Sequence, residues 1–242
     1  MTPLNIQRFP ANPEIPDDPA DTLVVLLPGA YNRAEDFVAA GFVDTARRAA
    51  SRFDLLLPEL TLPQLSSGEA LPLLHEQVIL PARQAGARRI WLGGVSLGGF
   101  NSLCYAQRYP AGPAAIDGLC LLAPWPGSRI TRRQIEAGGG LDRWSPSARE
   151  LEADAELAVW YWLRQRRDAA SGPPIFIGWG TEDRFASGIA AYAETMTEAR
   201  IVPVPGGHDW VAWAELWRRF CAEPVPGKPA TGQTSPHSGG HR

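Results

Sequence analysis

Cysteine, histidine and net charge are all low in this chain, and the low values narrow the classes of protein it can be. Only 3 cysteines occur in 242 residues. Cys104, Cys120 and Cys221 stand in apolar surroundings without C-x-x-C spacing, which excludes a disulfide-stapled scaffold and a thiolate zinc site and fits buried free thiols. Reduced thiols make the cytoplasm the expected setting. The net charge is only −3, and the arginines are interspersed with acids, so the chain offers no basic footprint for nucleic acid and no reason to expect a polyanionic substrate. No apolar run approaches the roughly 20 residues of a membrane span. Met1-Thr2-Pro3-Leu4-Asn5 carries neither the charged nor the apolar region of a secretory leader. The expectation is a soluble cytoplasmic protein with neither nucleic acid nor membrane as partner.

What is present is an alternation of short apolar runs with longer helical patterns, the signature of β-α-β units around a mostly parallel sheet. The length suits one well-buried α/β domain over residues 1–222. Strands are predicted at 23–27, 55–57, 89–95, 118–122, 174–179 and 201–204, with a weak antiparallel edge strand at 6–9. A helix over 35–50 places Val38, Phe42, Ala46 and Ala49 on one face. A second covers 69–85, where Pro81 is expected to kink or end it. Residues 125–171 exceed a plain crossover and contain a Gly138-Gly139-Gly140 hinge before an amphipathic helix over 147–167, which predicts a small cap. Residues 223–242 are poor in apolar side chains and predict a disordered tail.

The run from Arg89 to Phe100 contains Gly94-Val95-Ser96-Leu97-Gly98, where an apolar strand enters a G-x-S-x-G turn and then a helix over 97–108. Flanking glycines are what a serine held on such a tight strand-to-helix turn requires, because strand and helix approach closely there. The helix N-terminus favours negative charge beside Ser96. A serine hydroxyl needs a base to act as a nucleophile at neutral pH. There are 4 histidines. His75 falls within an early helix and suits packing, while His237 and His241 lie in the tail. His208 remains, on a Gly-rich turn between the last strand and the last helix. The acid that fixes a histidine tautomer belongs at a neighbouring strand end. Gly180-Thr181-Glu182-Asp183 offers two, of which Asp183 is the candidate and Glu182 the solvent-facing neighbour. Asp209 is too near His208 in sequence and reads as a helix-terminal acid. Oxyanion donors are the backbone N–H of Leu97 and one from the loop Pro28-Gly29-Ala30-Tyr31, with Ala30 preferred to Tyr31. Trp210, Trp213 and Trp217 recur at helical spacing and predict the core face of the last helix.

With Pro28-Gly29-Ala30, Gly94-Val95-Ser96-Leu97-Gly98, Gly180-Thr181-Glu182-Asp183 and Gly207-His208-Asp209-Trp210 in this order, the chain resembles the α/β-hydrolase superfamily, in particular its small carboxylesterases of the esterase-D-like and feruloyl-esterase-like kinds. The resemblance runs from about residue 23 to 221. It implies an α/β-hydrolase fold with a central, mostly parallel sheet, and acyl-enzyme chemistry on a small ester or thioester by Ser96, His208 and Asp183. No cofactor and no metal are implied. Trp213 matches an aromatic that packs behind the histidine. Pro28 departs from the relatives that carry histidine before the oxyanion glycine, so the analogy does not extend to acyl preference. Tyr31, Trp125 and Trp210 are the expected pocket residues, with Trp160, Tyr161 and Trp162 as further walls from the cap. A thioesterase or acyltransferase would use the same three residues. A non-catalytic protein of this fold is disfavoured because none of the three is missing.

Overall fold

The computed structural model describes residues 3–14, 20–49, 52–169, 172–196 and 198–224. The expected tail beyond Pro224, with His237 and His241, lies outside the described residues.

Seven strands form one sheet: β1 (Ile6–Phe9), β2 (Thr22–Leu27), β3 (Asp54–Pro58), β4 (Arg89–Val95), β5 (Gly118–Leu122), β6 (Ile175–Gly180) and β7 (Arg200–Val204), in the order β1-β3-β2-β4-β5-β6-β7. β1 pairs antiparallel with β3, and every other pairing is parallel. The central strands are near-continuous apolar runs because both faces are covered: β2 and β5 are buried at every residue. Parallel pairing has a direct consequence for function. It brings the carboxyl ends of β2, β4, β5, β6 and β7 to one edge, so loops far apart in sequence meet there.

Helices cover the sheet. α6 (Leu97–Arg108) packs on β2, β4 and β5, and the last helix, α11 (Trp210–Cys221), packs on β5, β6 and β7. Trp213 and Trp217 are buried on the core face of α11, and Trp217 Nε1–H donates to the Phe42 carbonyl at 2.9 Å. The three cysteines are buried and free. Burial raises their pKa values, to about 12 for Cys104, which keeps them as unreactive thiols. No helix among the described residues is long and apolar enough to cross a membrane.

Three helices differ from the periodicity reading. The segment 35–50 is two helices, α1 (Ala34–Ala39) and α2 (Phe42–Arg47), separated at Gly41, whose φ of 79° lies in the left-handed region. That break turns Phe37 and Phe42 into the core and leaves Val38 on the surface. The segment 69–85 does not end at Pro81. It runs through α4 (Ala70–Leu74), a π-helical turn (His75–Ile79) and α5 (Leu80–Gln84). The widened turn is where a proline ring and a missing N–H are accommodated without breaking the helix. His75 on this turn stacks on Tyr109 at 4.2 Å between ring centroids, a packing role. The cap contains α7 (Arg129–Ala137), α8 (Ala148–Ala153) and α9 (Ala155–Ala169). Asp154 interrupts the expected single helix because its side chain accepts from the N–H groups of Glu156 and Leu157 and caps α9. α10 (Ala186–Glu194) lies between β6 and β7.

Candidate active site

β4 ends at Val95, and α6 begins at Leu97, so Ser96 alone makes the turn. Its φ of 51° and ψ of −117° are sparsely populated for a residue with a side chain. The close approach that forces this is visible at the flanking glycines. A Cβ on Gly98 would overlap the carbonyl oxygens of Leu27 and Pro28, and one on Gly94 would overlap that of Leu27. Strand β2 therefore presses directly on the turn. Gly98→Ala is expected to lower folding stability by about 1–3 kcal/mol, since the obstacles are backbone and cannot rotate away. Denaturant unfolding of that variant checks it, and unchanged stability would contradict the contact.

The Ser96 backbone is fixed on both sides. Its N–H donates to the Leu122 carbonyl at 3.2 Å, and its carbonyl accepts from the N–H groups of Phe100 and Trp125 at 3.1 and 2.9 Å. β5 and the loop leaving it thus hold the serine in its strained conformation.

The side chain of Ser96 meets His208, whose Nε2 is 2.9 Å from Oγ, and Nδ1 of the same ring is 2.6 Å from Asp183 Oδ2. A carboxylate only accepts, so Nδ1 carries the proton. Nε2 of the neutral ring is then the acceptor for the Ser96 hydroxyl. Asp183 is 5% exposed. Its other oxygen, Oδ1, accepts the Phe185 N–H at 2.7 Å, which fixes the carboxylate plane. Glu182, by contrast, is exposed.

Two loops must stay in register for this chain of hydrogen bonds to form. β6 and β7 pair as far as Gly180 and Val204, and the pairing continues through Thr181 N–H to the Val204 carbonyl at 2.8 Å and Glu182 N–H to the Gly206 carbonyl at 2.9 Å. Gly180 allows that approach: a Cβ there would overlap the Gly206 carbonyl oxygen. Beyond the turn, Asp209 Oδ1 caps α11 by accepting from Val211 and Ala212, both at 3.0 Å. The His208 ring is held edge-to-face by Phe185 and Trp213, at centroid distances of 5.0 and 5.1 Å.

Ser96 lines a cavity of about 720 Å³, together with Ala30, Leu97, Phe100 and Trp125. Leu97 opens α6, so its N–H has no carbonyl one turn back to meet. Gly29 stands against the serine, since a Cβ there would come within 3.5 Å of Ser96 Cβ. Ala30, Leu97 and Ser96 line the same cavity.

Of the aromatic residues expected in the pocket, Trp125 lines the cavity and makes an edge-to-face contact with Phe100. Tyr31 and Trp210 do not line it. Tyr31 is 89% exposed, because the turn closed by Asn32 N–H to the Gly29 carbonyl points it to solvent. Trp210 is turned toward α1 and α2, with edge-to-face contacts to Phe37 and Phe42. Trp160, Tyr161 and Trp162 are also outside it; Trp160 is buried against Tyr192. The remaining walls come from places that periodicity did not single out. α3 (Leu62–Ser67) contributes Leu65, Ser66 and Ser67, the α8–α9 junction contributes Glu152, Asp154 and Glu156, and the acid turn contributes Arg184 and Phe185. Among the described residues, no group of three His, Cys, Asp or Glu side chains is placed to hold a metal ion.

No family model matches the sequence. No curated protein matches it either. Solved structures do match. A ferulic acid esterase is 13% identical, with a TM-score of 0.59 over 90% of this chain and 96% of that one. S-formylglutathione hydrolase from Staphylococcus aureus is 14% identical, with a TM-score of 0.60 over 91% and 97%. A mutant of the esterase rPPE is 15% identical, with a TM-score of 0.63 over 90% and 77%. At these identities the likeness is one of fold alone, and the chain has the α/β-hydrolase fold.

Proposed function

We propose that the protein is a serine hydrolase that cleaves a small carboxylic ester through an acyl-enzyme. The observation that carries this reading is the unbroken hydrogen-bonded chain from Asp183 through His208 to Ser96, at 2.6 and 2.9 Å, ending on a serine at positive φ beside the first N–H of a helix. Ser96 Oγ attacks the ester carbonyl while His208 Nε2 takes its proton. The tetrahedral oxyanion is received by the N–H groups of Leu97 and Ala30, each such donor being worth about 3 kcal/mol. His208 returns the proton to the leaving alcohol, and water then resolves the acyl-enzyme by the same steps in reverse order. Asp183 stays ionised and holds the ring. No cofactor or metal enters these steps. Esterases and serine hydrolases among the structures of like fold, including a ferulic acid esterase, support the choice of an ester.

The test is a pre-steady-state reaction with p-nitrophenyl esters of graded acyl length. The expected result is a burst of p-nitrophenol approaching one equivalent per chain, followed by slower turnover, because acylation and deacylation are separate steps. Turnover of every such ester at the uncatalysed rate would sink the proposal.

A further inference from the structure

The polar groups on the cavity wall are mostly committed to the protein itself. Ser66 Oγ donates to the Leu62 and Pro63 carbonyls, Ser67 Oγ accepts the Glu69 N–H, and Asp154 Oδ1 caps α9. Arg184 lies over the Phe185 ring at 4.7 Å. Glu156 is half committed. Its Oε2 accepts two hydrogen bonds, from the Ser128 N–H and from the hydroxyl of buried Thr131, both at 2.5 Å. Gly127, at φ 82°, admits the carboxylate, because a Cβ there would stand 2.8 Å from the same oxygen. The other oxygen, Oε1, accepts no hydrogen bond within the protein among the described residues, and it is not sealed off. No arginine or lysine among them pairs with Glu156.

We propose that Glu156 determines substrate specificity: Oε2 anchors the carboxylate, and Oε1 accepts a hydrogen bond from a hydroxyl or ammonium group carried by the substrate away from its ester carbonyl. A carboxylate held rigidly in this way loses hydration when an apolar chain lies against it and regains a partner when a donor does, so the two substrates are discriminated. The substrate class is then a short ester bearing a hydrogen-bond donor. This inference rests on the acyl-enzyme reading of Ser96.

The experiment compares kcat/KM for esters matched in length whose acyl chain, or in a second series whose alcohol chain, ends in hydroxyl, ammonium or methyl. Wild type is expected to favour a donor-ended member over its methyl-ended match by about tenfold in one series. Glu156→Gln keeps a carbonyl oxygen for Ser128 and Thr131 and places an amide nitrogen where Oε1 stood. The ratio for the ammonium-ended ester, which has no lone pair to accept from that nitrogen, is expected to fall to about one or below, whereas a hydroxyl can accept from it and keep part of its preference. Ratios are taken within each enzyme, so a general loss of rate cancels. Equal ammonium-to-methyl ratios in wild type and Glu156→Gln overturn the inference, as does a wild type indifferent to the donor. Wild type that turns over neither series overturns the hydrolase reading itself and this inference with it.

Discussion

Ser96→Ala is expected to lose about 10⁵-fold or more in kcat and to show no burst, while keeping its fold. The size follows from what is removed. In the proposed mechanism Oγ is the atom that forms the acyl bond, and the residual rate would come only from Leu97, Ala30 and the cavity walls acting on bound ester and water. The fold survives because the backbone bonds to Leu122, Phe100 and Trp125 do not involve the side chain. A second substitution separates strain from chemistry. Alanine keeps a Cβ at φ 51°, whereas glycine occupies that conformation freely. Ser96→Gly is therefore expected to be equally inactive yet more stable than Ser96→Ala by about 1–3 kcal/mol. Thermal unfolding of the two variants, with burst kinetics on the same preparations, checks both statements. A Ser96→Ala enzyme within tenfold of wild type would remove the serine from the mechanism.

The groups that sequence alone brought forward share a local origin. The turn at Ser96 is announced by an apolar strand, two glycines and a helix within twelve consecutive residues. Asp183 and His208 follow from residue type and strand-end position, because parallel β4, β6 and β7 must all deliver their carboxyl ends to one edge. The cavity walls have no such signal. Tyr31 and Trp210 are sequence neighbours of Ala30 and His208, but adjacency along the chain does not fix direction, and a tight turn or an aromatic cluster on α1 and α2 sends each elsewhere. Glu156 is far from Ser96 in sequence and reads as one polar residue of an amphipathic helix. Only the packing of the cap gives it two donors and a place in the cavity. The broken helices are intermediate cases. Gly41 and Asp154 are recognisable as a left-handed residue and an N-cap, yet an uninterrupted apolar period outweighs either until the core partners of Phe37 and Leu157 are known.

Phe185 and Trp213 hold the imidazole edge-to-face, so the contribution of Asp183 at Nδ1 can be tested electronically, apart from its part in positioning the ring. Asp183→Asn tests it, with an expected fall in kcat of about 10⁴-fold and little change in structure. The Phe185 N–H donates to Oδ1 of residue 183, so an asparagine keeps its carbonyl oxygen there and turns its amide nitrogen toward His208. An amide nitrogen donates. Nδ1 of His208 must then become an acceptor, which moves the ring proton to Nε2, where it faces Ser96 Oγ at 2.9 Å. The base is lost because its lone pair is on the wrong nitrogen, although every heavy atom stays where it was. Nitrogen NMR of the imidazole is expected to show the proton on Nδ1 in wild type and on Nε2 in the variant, alongside the kinetic loss. If Asp183→Asn retained the wild-type tautomer and a rate within tenfold of wild type, Asp183 would be a packing residue and the acid of the mechanism would lie elsewhere.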